Sequence, residues 1–162
     1  MPQLVKGGKY IFGWTLVDKN GRISLPPMAE KEYRFDNLNR LIMLPGSKTS
    51  GGFGLYSPQK ILRSRIGSIF RAHPEFMNFK TAPGKIINFL GTQFCWVKFS
   101  QSIVSIPVET LGKFGVRAGA KLLVARGSKL GMAFVMKGPI ITEARKHSEL
   151  QLFTPDSIIN KI

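Results

Sequence analysis

Shifted by 81 residues, half its length of 162, this chain aligns with itself. Positions 24–48 fall on 105–129 without a gap. Ser24, Pro26, Leu41, Gly46, Ser47 and Lys48 meet Ser105, Pro107, Leu122, Gly127, Ser128 and Lys129. Conservative pairs fill the spaces, among them Leu25 with Ile106, Tyr33 with Phe114 and Arg40 with Lys121. The same shift puts Pro58 on Pro139, and with one residue gained Phe12 and Trp14 meet Phe94 and Trp96. Such a repeat limits the possible folds, because each half is too short to bury a generous core of its own. Repeat one, 1–81, and repeat two, 82–162, are therefore expected to form one intertwined unit.

Each half reads as strand, strand, short helix, strand, strand, which predicts a mainly β fold with short helices. In the first, 10–17 is a strand and Asp18-Lys19-Asn20-Gly21 a turn, since Asn-Gly tolerates positive φ. A second strand spans 22–25, and Pro26, which cannot donate to a ladder, closes it. A helix near 28–33, strands at 41–44 and 53–56, and a Gly-rich turn at 46–52 follow. The second half gives strands at 94–99, 103–106, 121–125 and 132–136, with a helix near 108–114. Leu41-Ile42-Met43-Leu44 and Leu122-Leu123-Val124-Ala125 are apolar on both sides, as strands covered on both faces must be. After Ser57-Pro58 the spacing of Leu62, Ile66, Ile69 and Phe70 predicts one basic amphipathic helix. The tail of the second half, 140–153, is more mixed in charge. Thr81-Ala82-Pro83-Gly84 reads as the linker between halves.

Charge points to the partner. Twenty-four Lys and Arg face nine Asp and Glu, for a formal net charge of +15. Between Asp36 and Glu75, and again between Glu109 and Glu143, the chain has bases and no acid. Solubility alone does not need so few acids, and self-repulsion of this size is commonly offset by a polyanion. The 43% apolar content is ordinary for a globular chain. The start, 1–9, lacks the apolar stretch of a signal peptide, and no run reaches membrane-span length, so a cytoplasmic protein without membrane contact is expected.

The segment Leu16-Val17-Asp18-Lys19-Asn20-Gly21-Arg22-Ile23-Ser24-Leu25-Pro26 resembles the opening of the SpoVT/AbrB family, in which a strand, an Asp-x-x-Gly-Arg turn, a second strand and a proline lead into a short helix. The run Ser102–Pro107 through Gly115–Val124 is similar to the middle of the same motif. Two copies, each followed by a helix, resemble the tandem arrangement of the MraZ proteins, whose Asp-x-x-x-Arg appears as Asp18 to Arg22. The resemblance implies two AbrB-like β-β-α-β-β repeats interlacing their hairpins into one pseudo-two-fold, swapped-hairpin barrel. It further implies nucleic-acid contact through Lys19 and Arg22 on the first hairpin and Lys31 on the helix. Lys98 and Lys113 are the nearest charged residues of the second half. There the Asp-x-x-x-Arg turn is lost, and Ile103 stands where Arg22 stands.

Enzyme readings find little footing. His73 and His147 have no sequence neighbours suggesting a triad or a metal site, and the acids form no obvious pair. The lone Cys95 excludes an internal disulfide and cysteine-pair zinc fingers. Gly46-Ser47-Lys48 and Gly127-Ser128-Lys129 invite a phosphate-loop reading, but their spacing is wrong and each lies between strands. No catalytic residue, metal or cofactor is expected. The reading is a double-stranded DNA-binding protein and transcriptional regulator. RNA-binding or ribosome association, and an assembly role that has lost DNA contact, are the alternatives, and homo-oligomer formation is left open.

Overall fold

The computed structural model describes residues 10–155. Segment 1–9, read above for its lack of a leader, lies outside them. The chain runs β1 (Ile11–Leu16), β2 (Arg22–Ser24), α1 (Pro27–Tyr33), β3 (Arg40–Pro45) and β4 (Phe53–Tyr56). Three short helices follow: α2 (Pro58–Arg63), α3 (Gly67–Arg71) and α4 (Pro74–Met77). Next come β5 (Ile87–Phe89), β6 (Thr92–Ser100), β7 (Ile103–Ser105), α5 (Val108–Lys113), β8 (Lys121–Arg126) and β9 (Gly131–Val135). The final elements are α6 (Pro139–Ala144) and β10 (Leu152–Phe153).

The strands form a mainly antiparallel sheet in the order β10-β1-β8-β9-β4-β3-β6-β7-β2, with β5 joined to the start of β6. This sheet is nearly closed into a barrel. Thr15 Oγ1 donates to the Ser24 carbonyl at 2.8 Å, which brings β2 back against β1. Five strand pairs join the two halves of the chain: β1 with β8, β3 with β6, β2 with β7, β4 with β9, and β1 with β10. Trp14 faces Leu123 in the first of these pairs and Trp96 faces Ile42 in the second.

Side chains from both halves fill the barrel, including Val17, Ile23, Leu41, Met43, Phe53, Val97, Val104, Leu122, Val124 and Phe134. The alternate residues of β3 and β8 point outward and are covered by helices. Ile42 and Leu44 pack with Trp96, Phe70 and Phe76 beneath α2–α4. Leu123 and Ala125 pack with Trp14 and Ile141 beneath α6. That double covering is why both strands are continuous apolar runs.

Three features differ from the sequence reading. The helix expected after Pro58 breaks twice. Ser64 leaves the helical region (φ −81°, ψ 175°) while its hydroxyl donates to the Ile61 carbonyl, a local bond that competes with helix continuation. His73 (φ −127°, ψ 79°), kept out of the helical region by the ring of Pro74, separates α3 from α4. The match of Phe12 with Phe94 also fails. A bulge between Ile11 and Gly13 turns Phe12 toward the barrel, and Ile11 takes the outward place. Finally, the tail of the second half adds β10 parallel to β1, where Trp14 N–H donates to the Gln151 carbonyl at 2.8 Å. Among the described residues no helix is long and apolar enough to cross a membrane.

Candidate nucleic-acid interface

In an antiparallel pair, residues directly opposite one another project from the same face. Arg40 lies opposite Lys98 across β3 and β6, Lys98 opposite Ser105 across β6 and β7, and Ser105 opposite Arg22 across β7 and β2. Their neighbours Leu41, Val97, Val104 and Ile23 fill the barrel, so this row faces outward. Strand spacing puts the two arginines roughly 14 Å apart, with a lysine and a serine between them. Lys98 and Ser105 are exposed, and Arg22 and Arg40 are half-buried.

Each arginine is held. Arg22 Nε donates to Asp18 Oδ2 at 2.9 Å, while Asp18 Oδ1 accepts the backbone N–H groups of Asn20 and Arg22. Burial works against the Asp18 charge, but these N–H donors and the guanidinium outweigh it and keep the carboxyl below its ordinary value. At the other end of the row, the Arg40 guanidinium carbon lies 4.4 Å from the centre of the Phe79 ring and 5.4 Å from that of Trp96. Trp96 Nε1 donates to Thr81, and Gly84 N–H donates to the Trp96 carbonyl. The linker therefore runs along β6, flanked by the exposed Lys80 and Lys85.

Of the five expected residues, Arg22 and Lys98 share this row. Lys19 sits on the adjoining turn, which abuts the start of α5 through the Ile106 N–H to Gly21 carbonyl bond of 3.0 Å. Lys113 lies at the far end of α5. Lys31 is elsewhere. Because β2 and β7 are antiparallel, the helices that follow them, α1 and α5, leave the pair at opposite ends. At the α1 end Lys31 lines an open groove of about 490 Å³ with Glu30, Asp36, Gln101 and Ser102. Ser102 Oγ donates to Glu30 Oε2 at 2.7 Å. Burial raises the Glu30 carboxyl above its ordinary value, the Ser102 bond opposes this, and the nearby Asp36 charge adds to it. Arg40 was missed from sequence, because its partner Lys98 is distant in the chain and only the β3–β6 register unites them.

Other candidate chemistry is occupied by structural roles. The two Gly-Ser-Lys segments are tips of the β3–β4 and β8–β9 hairpins. Cys95 is buried in the barrel, and burial pushes its thiol up to about 12, so it is not a reactive thiolate. His147 lies 2.8 Å from Glu149 on an exposed turn. Among the described residues no group of three or more His, Cys, Asp or Glu side chains is arranged to hold a metal ion. A scan against family models, a search of curated proteins and a search of solved structures each find no match.

Proposed function

We propose that this chain is a double-stranded DNA-binding protein, a non-catalytic transcriptional regulator that docks through the outward row Arg40–Lys98–Ser105–Arg22. The row is the observation that carries the reading. Three cations and a hydroxyl, fixed by β-sheet register, present a line of donors suited to successive phosphates. Asp18 holds Arg22 through Nε and leaves both terminal nitrogens of the fork for a ligand, the geometry that suits a guanine edge or a phosphate.

We further propose that the scaffold is a tandem pair of AbrB-like repeats forming a pseudo-two-fold, swapped-hairpin barrel. The strand registers support this. Arg22–Ser105 and Ser24–Ile103 flank the central Ile23–Val104 pair, and each residue's counterpart by the 81-residue shift stands on the partner strand. Trp14 and Trp96 face the equivalent Leu123 and Ile42.

Competition at near-physiological ionic strength tests the partner. Unlabelled duplex DNA should displace a labelled duplex, and structured or single-stranded RNA of matched length and charge should do so poorly. Displacement by sub-stoichiometric RNA would contradict the DNA reading. Retention of neither would assign the basic surface to something else.

A further inference from the structure

The two ends of the β2·β7 ribbon, equivalent by the internal alignment, carry unequal charge. Where one end has Arg22, the other has Ile103, and Lys98 is answered by Leu16 on β1. Arg117 precedes the loop in which Gly119 N–H donates to the Val17 carbonyl at 2.7 Å, beside the Asp18–Lys19 turn. Its counterpart across the ribbon is Asp36, and the counterpart of Leu111 is Glu30. Glu109, Gly112 and Gly115 run the other way, against Met28, Lys31 and Arg34, without cancelling the difference. Arg40 and Lys121 correspond, and each lies over a tryptophan: Arg40 at 5.4 Å from Trp96, Lys121 at 5.3 Å from Trp14. Packing has thus been kept on both sides, whereas the surface charge has diverged.

Resting on the nucleic-acid reading above, we infer that duplex DNA is held from the Arg22 end alone, so the site this chain selects has a direction and no internal dyad. A two-fold protein face matched by equal charges on both sides of its axis favours a palindromic site. Here the groove sets the carboxylates of Glu30 and Asp36 beside Lys31 and so offsets its attraction for phosphate, while Lys19, Arg22, Lys98 and Arg117 attract it. The arginine fork fixed by Asp18 has no counterpart at the other end, where Ile103 makes no hydrogen bond to a base.

Selection from a pool of random-sequence duplexes two helical turns long, at one salt concentration, tests this directly. The full chain should enrich a motif that lacks dyad symmetry. Arg22→Gln and Lys98→Gln should each weaken retention of the enriched duplex roughly tenfold, the scale of losing one charged contact. Lys121→Gln, on the opposite row, should leave it within about twofold, with thermal unfolding used to verify that each variant is folded. An enriched inverted repeat, equal losses from Lys98→Gln and Lys121→Gln, or retention without enrichment would each overturn the one-ended docking. Failure of the folded wild-type chain to retain any duplex at low salt would instead overturn the DNA-binding reading beneath it.

Discussion

Asp18 grips Arg22 twice, through the guanidinium at 2.9 Å and through the backbone N–H at 2.8 Å. One carboxylate thus closes the turn between β1 and β2 and aims the arginine at its edge. Asp18→Asn should cost about 1 kcal/mol, the scale of one partly exposed ion pair with its hydrogen bond. The pH dependence follows from the lowered Asp18 carboxyl. A depressed native value means this stabilisation is present above the ordinary carboxylate value and is lost as pH falls below it through the native one. Thermal unfolding of both proteins across the acid range should show the gap between them closing below about pH 4.

Gly21 separates backbone conformation from close approach. It has φ +80°, and a Cβ there would lie 1.9 Å from the Ile106 carbonyl oxygen. Gly119 has φ +87° with nothing within 4 Å of its Cβ position. Gly119→Ala should therefore cost only the left-handed penalty, about 1 kcal/mol. Gly21→Ala should cost clearly more, because the α5 start must move. Chemical denaturation of the two variants measures the difference, and equal losses would contradict the contact.

Phe53 and Phe134 stack inside the barrel with centroids 4.8 Å apart, one ring from each half. Phe53→Ala should lose about 3–5 kcal/mol, the range for emptying a fully buried aromatic site. Leu90→Ser, at a side chain 83% exposed, should change stability by less than about 0.5 kcal/mol. Denaturant midpoints at constant m-value check both.

The first half should not fold by itself. Among the described residues of 1–81 the only paired strands are β3 and β4, since the partners of β1 and β2 lie in the second half. Expressed alone, 1–81 should be unfolded or self-associating. Dispersed amide resonances from a dilute monomeric half would contradict the shared core.

Much of this architecture was legible because local signals and the repeat agree. Asn20-Gly21 marks the turn between β1 and β2, Pro26 and Pro107 end their strands before helices, and the two apolar tetrapeptides announce strands covered on both faces. Less legible were features decided by long-range contact. β10 is two residues long and exists because Gly13 permits another backbone to come close; a Cβ there would lie 2.8 Å from the Gln151 carbonyl oxygen. The breaks at Ser64 and His73 are local, yet the apolar spacing through Ile66 masks them. The candidate interface was legible in part. Arg22 and Lys98 could be named from sequence, but their alignment with Arg40, and the carboxylates around Lys31, depend on register and turn packing.

The dependence of duplex affinity on salt tests the row most directly. Each phosphate contact made by a base should contribute about −0.9 to the slope of log affinity against log salt. Replacing Arg22, Lys98 and Arg40 together with glutamine should make that slope shallower by about 2.7. Replacing Lys48 and Lys129, exposed on the hairpin tips, should leave it unchanged. An unaltered slope in the triple variant, or an equal per-residue loss from the hairpin-tip lysines, would contradict docking through the Arg40–Lys98–Ser105–Arg22 row.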